Sequence, residues 1–219
     1  MFTATPSLAQ SARLDELIDV GGYRMRIICE GQAVKGAPTV ILDSGGGSSS
    51  SSWRLVQPEV AKFARVCGYD RPGLGRSERK PKPYTSPDVM KDLHTLLAEA
   101  KISKPYVMAG HSLGGMHIRL FAKLYPKEVA GMVFVDSFNE DELAPERSTI
   151  PPEVKKQYPP EYFKPFIAED MDLETIAAQA RANKWCGHNI QLDQPEIVVE
   201  SIRQVIAATG RKDRKLSQQ

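Results

Sequence analysis

Tyr106-Val107-Met108-Ala109-Gly110-His111-Ser112-Leu113-Gly114-Gly115 is the stretch from which the rest of this 219-residue sequence can be read. Its first four residues are an apolar run of the kind that forms a buried strand. From Leu113 to Leu124 apolar residues recur at helical spacing, and the pattern stops before Pro126. Between strand and helix lies G-x-S-x-G, with Ser112 at its centre. A serine on so tight a strand-to-helix turn is pushed towards the open end of a sheet. Side chains two residues to either side would collide, so glycine is wanted at both flanks. The helix opening at Leu113 offers unpaired N–H groups and the positive end of its dipole, which suit a developing oxyanion.

Upstream, Tyr23 to Cys29 alternates apolar and polar residues like a half-buried strand. Thr39-Val40-Ile41-Leu42 is a buried strand running into the glycine loop Asp43-Ser44-Gly45-Gly46-Gly47, which the serines 48–52 continue. Trp53, Val56, Val60 and Phe63 predict one helix with an inward face. Arg65 to Tyr69 is another buried strand, closed by the turn Asp70-Arg71-Pro72-Gly73. Ser86-Pro87 reads as an N-cap followed by proline at the first helical position, and Val89, Leu93, Leu96, Leu97 and Ala100 line the helix behind it. Downstream of the elbow, Val129 to Val135 is a fourth buried strand ending at Asp136. Buried strands alternating with amphipathic helices predict an α/β fold: a mostly parallel twisted sheet covered by helices on both faces. In such sheets ligands bind beyond the carboxyl ends of the strands. The loops 43–47, 70–75 and 110–114 all begin there.

After Phe138 the character changes. Residues 139–165 are rich in proline and charge, 171–185 and 194–209 read as helices, and no further strand pattern follows. The expected organisation is a remnant or disordered segment over 1–14, a core over 15–138, a helical cap-like segment over 139–210 and a basic tail over 211–219. The tail's Arg211, Lys212, Arg214 and Lys215 read as a solvated end.

A formal net charge of +2 gives no reason to expect nucleic acid or an anionic membrane as partner. No run approaches the length of a membrane span. Ser7-Leu8-Ala9 is placed like the end of a secretory signal, but no basic and apolar region precedes it. The default expectation is therefore cytoplasmic, with export as the alternative if that stretch is a remnant. Cys29, Cys67 and Cys186 make no CxxC pattern. Cys67 reads as a small buried residue, and a Cys29–Cys186 disulfide is conceivable only in an exported protein. The reading calls for no metal or cofactor, and for a small-molecule acyl substrate as the partner.

Gly110 to Gly115 resembles the nucleophile elbow of the α/β-hydrolase fold superfamily. Tyr69-Asp70-Arg71-Pro72-Gly73-Leu74-Gly75-Arg76-Ser77 is similar to the turn after that family's fourth strand. Leu42 to Gly47 sits where the family has its oxyanion loop, with Ser44-Gly45 in place of the usual His-Gly pair. Val133 to Ser137 looks like its sixth strand and exit. The resemblance covers about residues 15–138 and implies that Ser112 attacks an acyl carbonyl. The N–H of Leu113, with an N–H near Gly46, would form the oxyanion hole. The family's epoxide-hydrolase and dehalogenase branches use a carboxylate nucleophile, so serine points instead to ester, thioester, lactone or amide hydrolysis.

A serine nucleophile needs a base and an orienting acid, in the chain order Ser, Asp/Glu, His. Asp136 is the candidate acid. Among the histidines, His94 reads as a side-layer residue, and His111 as pointing away from the Ser112 side chain. His117 reads as packing, roughly 140° round the helix from Ser112. His188 lies in the cap-like segment and is a poor candidate. The chain ends 107 residues after Ser112, about where a seventh strand is expected to start. The expectation is a chain truncated before the family's last two strands. The alternative to an active hydrolase is a catalytically impaired relative of the same fold that lacks the triad histidine.

Overall fold

The computed structural model describes residues 13–81, 85–137 and 189–216, the last seven of them as backbone only. Six strands form one sheet in the order β1-β2-β4-β3-β5-β6. They are β1 (Leu14–Asp19), β2 (Arg24–Glu30), β3 (Thr39–Asp43), β4 (Val66–Tyr69), β5 (Tyr106–His111) and β6 (Val129–Val135). The last four run parallel, while β1 and β2 are antiparallel to each other and β2 to β4. The mostly parallel sheet expected from the apolar runs is therefore present. The hairpin strand β1 has no counterpart in the sequence reading. Leu14-Asp15-Glu16-Leu17-Ile18-Asp19 alternates poorly, and pairing with β2 imposes the extended form.

β3 and β4 are buried along their whole length, as strands covered on both faces must be. One face packs Met25, Ile41, Met108, Leu93 and Phe121 against helices α2 (Ser86–Glu99) and α3 (Leu113–Leu124). The other packs Val40, Leu42, Trp53, Val107 and Ile202. Its cover is α1 (Gln57–Ala61), α4 (Ile190–Asp193) and α5 (Pro195–Leu216). Residues of α4 and α5 were expected in a cap-like segment. Instead, Val198 and Ile202 of α5 lie fully in the core beneath β5 and β6.

Two helices differ locally from the sequence expectation. The helix expected through Trp53, Val56, Val60 and Phe63 is split into a 3₁₀ turn at Ser50–Trp53 and the short α1. Pro58 stands in the first turn of α1, where its ring and missing N–H are tolerated, whereas in a continuous helix it would break the ladder. The N-cap of α2 is Thr85 rather than Ser86. The Asp88 carboxylate accepts hydrogen bonds from the Thr85 N–H at 2.8 Å and the Thr85 hydroxyl at 2.7 Å, which fixes the start one residue earlier.

The cysteines also differ from the sequence expectation. Cys29 and Cys67 are directly paired across β2 and β4, with Cα atoms 4.0 Å apart, and are joined as a disulfide in the core. The antiparallel register of β2 on β4 brings them together across a sequence separation of 38. Cys186 and the 139–185 segment lie outside the described residues, as do 1–12 with the signal-like stretch. No helix among the described residues is long and apolar enough to cross a membrane.

Candidate active site

Ser112 stands between β5 and α3 with φ 52° and ψ −118°. That is a strained backbone for a residue with a Cβ, and such strain is characteristic of the elbow. The surroundings hold it there. The Ser112 N–H donates to the Val135 carbonyl at 3.2 Å, and the Ser112 carbonyl accepts from the Gly115 N–H at 3.0 Å. A Cβ on Gly110 would lie 2.4 Å from the Gly114 carbonyl oxygen, and one on Gly114 would lie 2.3 Å from that of Asp43. No side chain fits at either flank, as the sequence reading required.

The glycine loop after β3 packs on this elbow. A Cβ on Gly45 would sit 3.4 Å from the Ser112 Cβ, and one on Gly46 would sit 3.8 Å from Leu113 Cδ2. Gly46 and Leu113 are thus neighbours. The serine run is an ordered part of the same loop. Ser44 Oγ donates to the Ser49 carbonyl at 2.8 Å, Ser52 Oγ donates to Ser44 Oγ at 3.0 Å, and the Ser50 N–H donates to buried Asp70 at 2.8 Å.

Asp136 follows Val135, whose carbonyl holds the Ser112 N–H, so the two residues sit on adjacent strand exits. Its side chain is exposed and its φ is 41°. Next to it, Ser137 Oγ donates to the Gly110 carbonyl at 2.8 Å and tethers the exit of β6 to the elbow.

Of the three described histidines, His94 and His117 are engaged elsewhere. His94 stacks on Tyr125, ring centroids 3.9 Å apart, with Nε2 3.2 Å from Glu128. His111 is buried against the glycine loop, its Nδ1 2.8 Å from where a Cβ on Gly45 would be. His117 is buried as expected, but its Nδ1 is 3.3 Å from Asp43 Oδ2, within ion-pair reach. His188 lies outside the described residues.

Asp43 is the centre of a buried polar cluster that the sequence reading missed. It accepts from Tyr69 Oη at 2.7 Å and from Arg71 at 2.6 Å, and all four members, His117 included, are buried. Burial alone would raise the Asp43 carboxyl. The His117 ring beside the carboxylate and the Arg71 charge, with the hydrogen bond from Tyr69, outweigh it and hold the carboxyl below its ordinary value. Burial and then the Asp43 charge push the Tyr69 phenol well above its ordinary value. Arg71 also donates to the carbonyls of Ser44 and Gly45. The available signal was a carboxylate closing an all-apolar strand, which demands a buried cation. Nothing in the spacing says that Arg71 supplies it. Among the described residues no group of three His, Cys, Asp or Glu side chains is placed to hold a metal ion.

The profile of the family described as the alpha/beta hydrolase fold matches residues 38–173, more than half of the chain. This chain belongs to that family. It is 34% identical over 129 residues to a probable transporter, EfuK, of Hormonema carpetanum, covering 57% of this chain and 18% of that one. It is 31% identical over 104 residues to a putative carbamate hydrolase, RutD, of Cronobacter turicensis, covering 47% of this chain and 39% of that protein. The chain thus spans well under half the length of either curated relative. Among solved structures, the epoxide hydrolase CorEH superposes with a TM-score of 0.68 at 17% identity, over 90% of this chain and 99% of that one, a likeness of fold. The family, together with hydrolase-named relatives, makes the chain a hydrolase by ancestry.

Proposed function

We propose that this chain is a serine-dependent hydrolase of an ester, thioester or related acyl bond, acting through an acyl-enzyme on Ser112. The observation that carries the reading is the strained Ser112 backbone at the mouth of the sheet, with the Gly45–Gly46 loop packed against it. Ser112 Oγ would attack the acyl carbon while its proton passes to a base. The carbonyl oxygen would become an oxyanion held by the Leu113 and Gly46 N–H groups. Collapse would expel the alcohol or thiol with a proton and leave the acyl group on Ser112, for water to remove. Asp136, at the neighbouring strand exit, is the proposed orienting acid. A small-molecule acyl compound is the proposed substrate, and the carbamate-hydrolase name of one relative is compatible with acyl chemistry.

A second reading is a catalytically impaired member of the same fold. It is favoured by the engagement of His94 with Glu128 and of His117 with Asp43, which leaves the base unassigned among the described residues. A fluorophosphonate probe separates the two. Labelling located on Ser112 by peptide mapping, and lost in Ser112→Ala, supports the hydrolase. A folded wild-type protein that takes no probe supports impairment.

A further inference from the structure

We propose that Arg71 is the positioning residue of the oxyanion loop: its guanidinium grips the Ser44 and Gly45 carbonyls and so turns the Gly45 and Gly46 N–H groups towards Ser112. The catalytic consequence rests on the Ser112 reading above. The geometric statement does not.

A trans peptide points its C=O and N–H in opposite directions. The peptide unit that carries the Ser44 carbonyl also carries the Gly45 N–H, and the unit with the Gly45 carbonyl carries the Gly46 N–H. Both carbonyls accept from Arg71. The sheet order then decides where the opposite ends face. β3, which leads into the loop, lies between β4, which leads into Arg71, and β5, which leads into Ser112. Carbonyls drawn to the β4 side leave the N–H groups on the β5 side. The placement of Gly45 against Ser112 and of Gly46 against Leu113 agrees with this.

The grip is needed because the loop contains three successive glycines, which left to themselves sample many backbone conformations. Only the Ser48 N–H, at 3.2 Å, also reaches the Gly45 carbonyl among the described backbone bonds. The grip is rigid because Arg71 is itself held by Asp43 at 2.6 Å, and Asp43 by Tyr69 at 2.7 Å. A guanidinium spans two carbonyls and a carboxylate with one planar fork. A lysine ammonium would balance the Asp43 charge but could not reproduce that fork.

The test therefore uses Arg71→Lys, which keeps the buried charge pair. It also uses Asp43→Asn with Arg71→Met, which removes both charges together and so avoids an unpaired buried carboxylate. Two readouts are taken on the full chain. The first is the amide spectrum of glycine-selective ¹⁵N protein, which needs no activity. The expected result is that the Gly45 and Gly46 peaks move, while those of Gly21 and Gly22 in the β1–β2 turn stay in place. The second is the kinetics of fluorophosphonate labelling. Loss of an oxyanion donor costs on the order of 10²–10³ in rate, so a partly misplaced donor should slow the first-order step at least about tenfold with little change in probe binding. Unmoved Gly45 and Gly46 peaks, or a variant labelled as fast as wild type, overturn the proposal. So does a slowdown confined to probe binding. If wild type takes no label, the Ser112 reading fails instead, and the two amide peaks alone decide the role of Arg71. Should Arg71→Lys not fold, the charge-neutral double variant carries both readouts.

Discussion

At the scale of single residues, the elbow is held by sterics that leave no slack. Gly114→Ala would drive a methyl group to 2.3 Å from the Asp43 carbonyl oxygen, which is backbone and has no rotamer to yield. Overpacking of this kind costs about 1–3 kcal/mol. For a domain of this size that amounts to a fall of several degrees in Tm. Thermal melting followed by circular dichroism checks it, and an unchanged Tm would mean that the turn can relax. Because the same shift would push the glycine loop away from Ser112, probe labelling should fall in this variant as well. G-x-S-x-G was readable because its glycines answer a local steric demand. Arg71 was not, because its partners at Asp43, Ser44 and Gly45 lie 26–28 residues away in the chain.

At the scale of elements, α5 shows how periodicity can reveal a helix without revealing its place. The apolar positions Val198, Ile202 and Val205 suit one inward face, in a stretch whose sequence reads as cap-like. The structure sets that face against β5 and β6, with Ile202 fully buried. Ile202→Ala should therefore destabilise by about 2–5 kcal/mol, the range for large-to-small changes in a core. Urea denaturation measures this directly. A loss below about 1 kcal/mol would indicate a peripheral helix. The split at Ser50–Trp53 and α1 accommodates Pro58, and the buried Trp53, Val56 and Val60 keep their inward places regardless.

At the scale of the whole molecule, the Cys29–Cys67 disulfide and the Asp43 cluster tie together strands that are distant in the chain. The disulfide closes a loop over a sequence separation of 38. The chain-entropy relation gives it on the order of 4 kcal/mol. Reduction should move the urea midpoint down accordingly, and a midpoint indifferent to reductant would sink this assignment. Asp43 makes the acid limb of stability. Its carboxyl titrates below its ordinary 3.8 in the fold, so its contribution is fully present above about pH 4 and is lost as pH falls through the lowered value. Urea midpoints between pH 7 and pH 2.5 should drop on the acid side, and less steeply in Asp43→Asn. Tyr106 makes an alkaline limb. Burial, and then the Glu128 charge, raise its phenol from 10 to about 12. Its contribution is present below pH 10 and is lost between about pH 10 and 12, a decline that Tyr106→Phe should lessen.

The sequence by itself determined the alternation of buried strands and amphipathic helices, the mostly parallel sheet, and Ser112 on its turn. Each of these follows from residues within a few positions of one another, where sterics and hydrophobic period act locally. The tertiary structure alone decided the antiparallel β1–β2 edge, the pairing of Cys29 with Cys67, the place of α5 under the sheet, and the grip of Arg71 on the glycine loop. These depend on strand order and register, which bring together residues tens of positions apart and which no local pattern encodes.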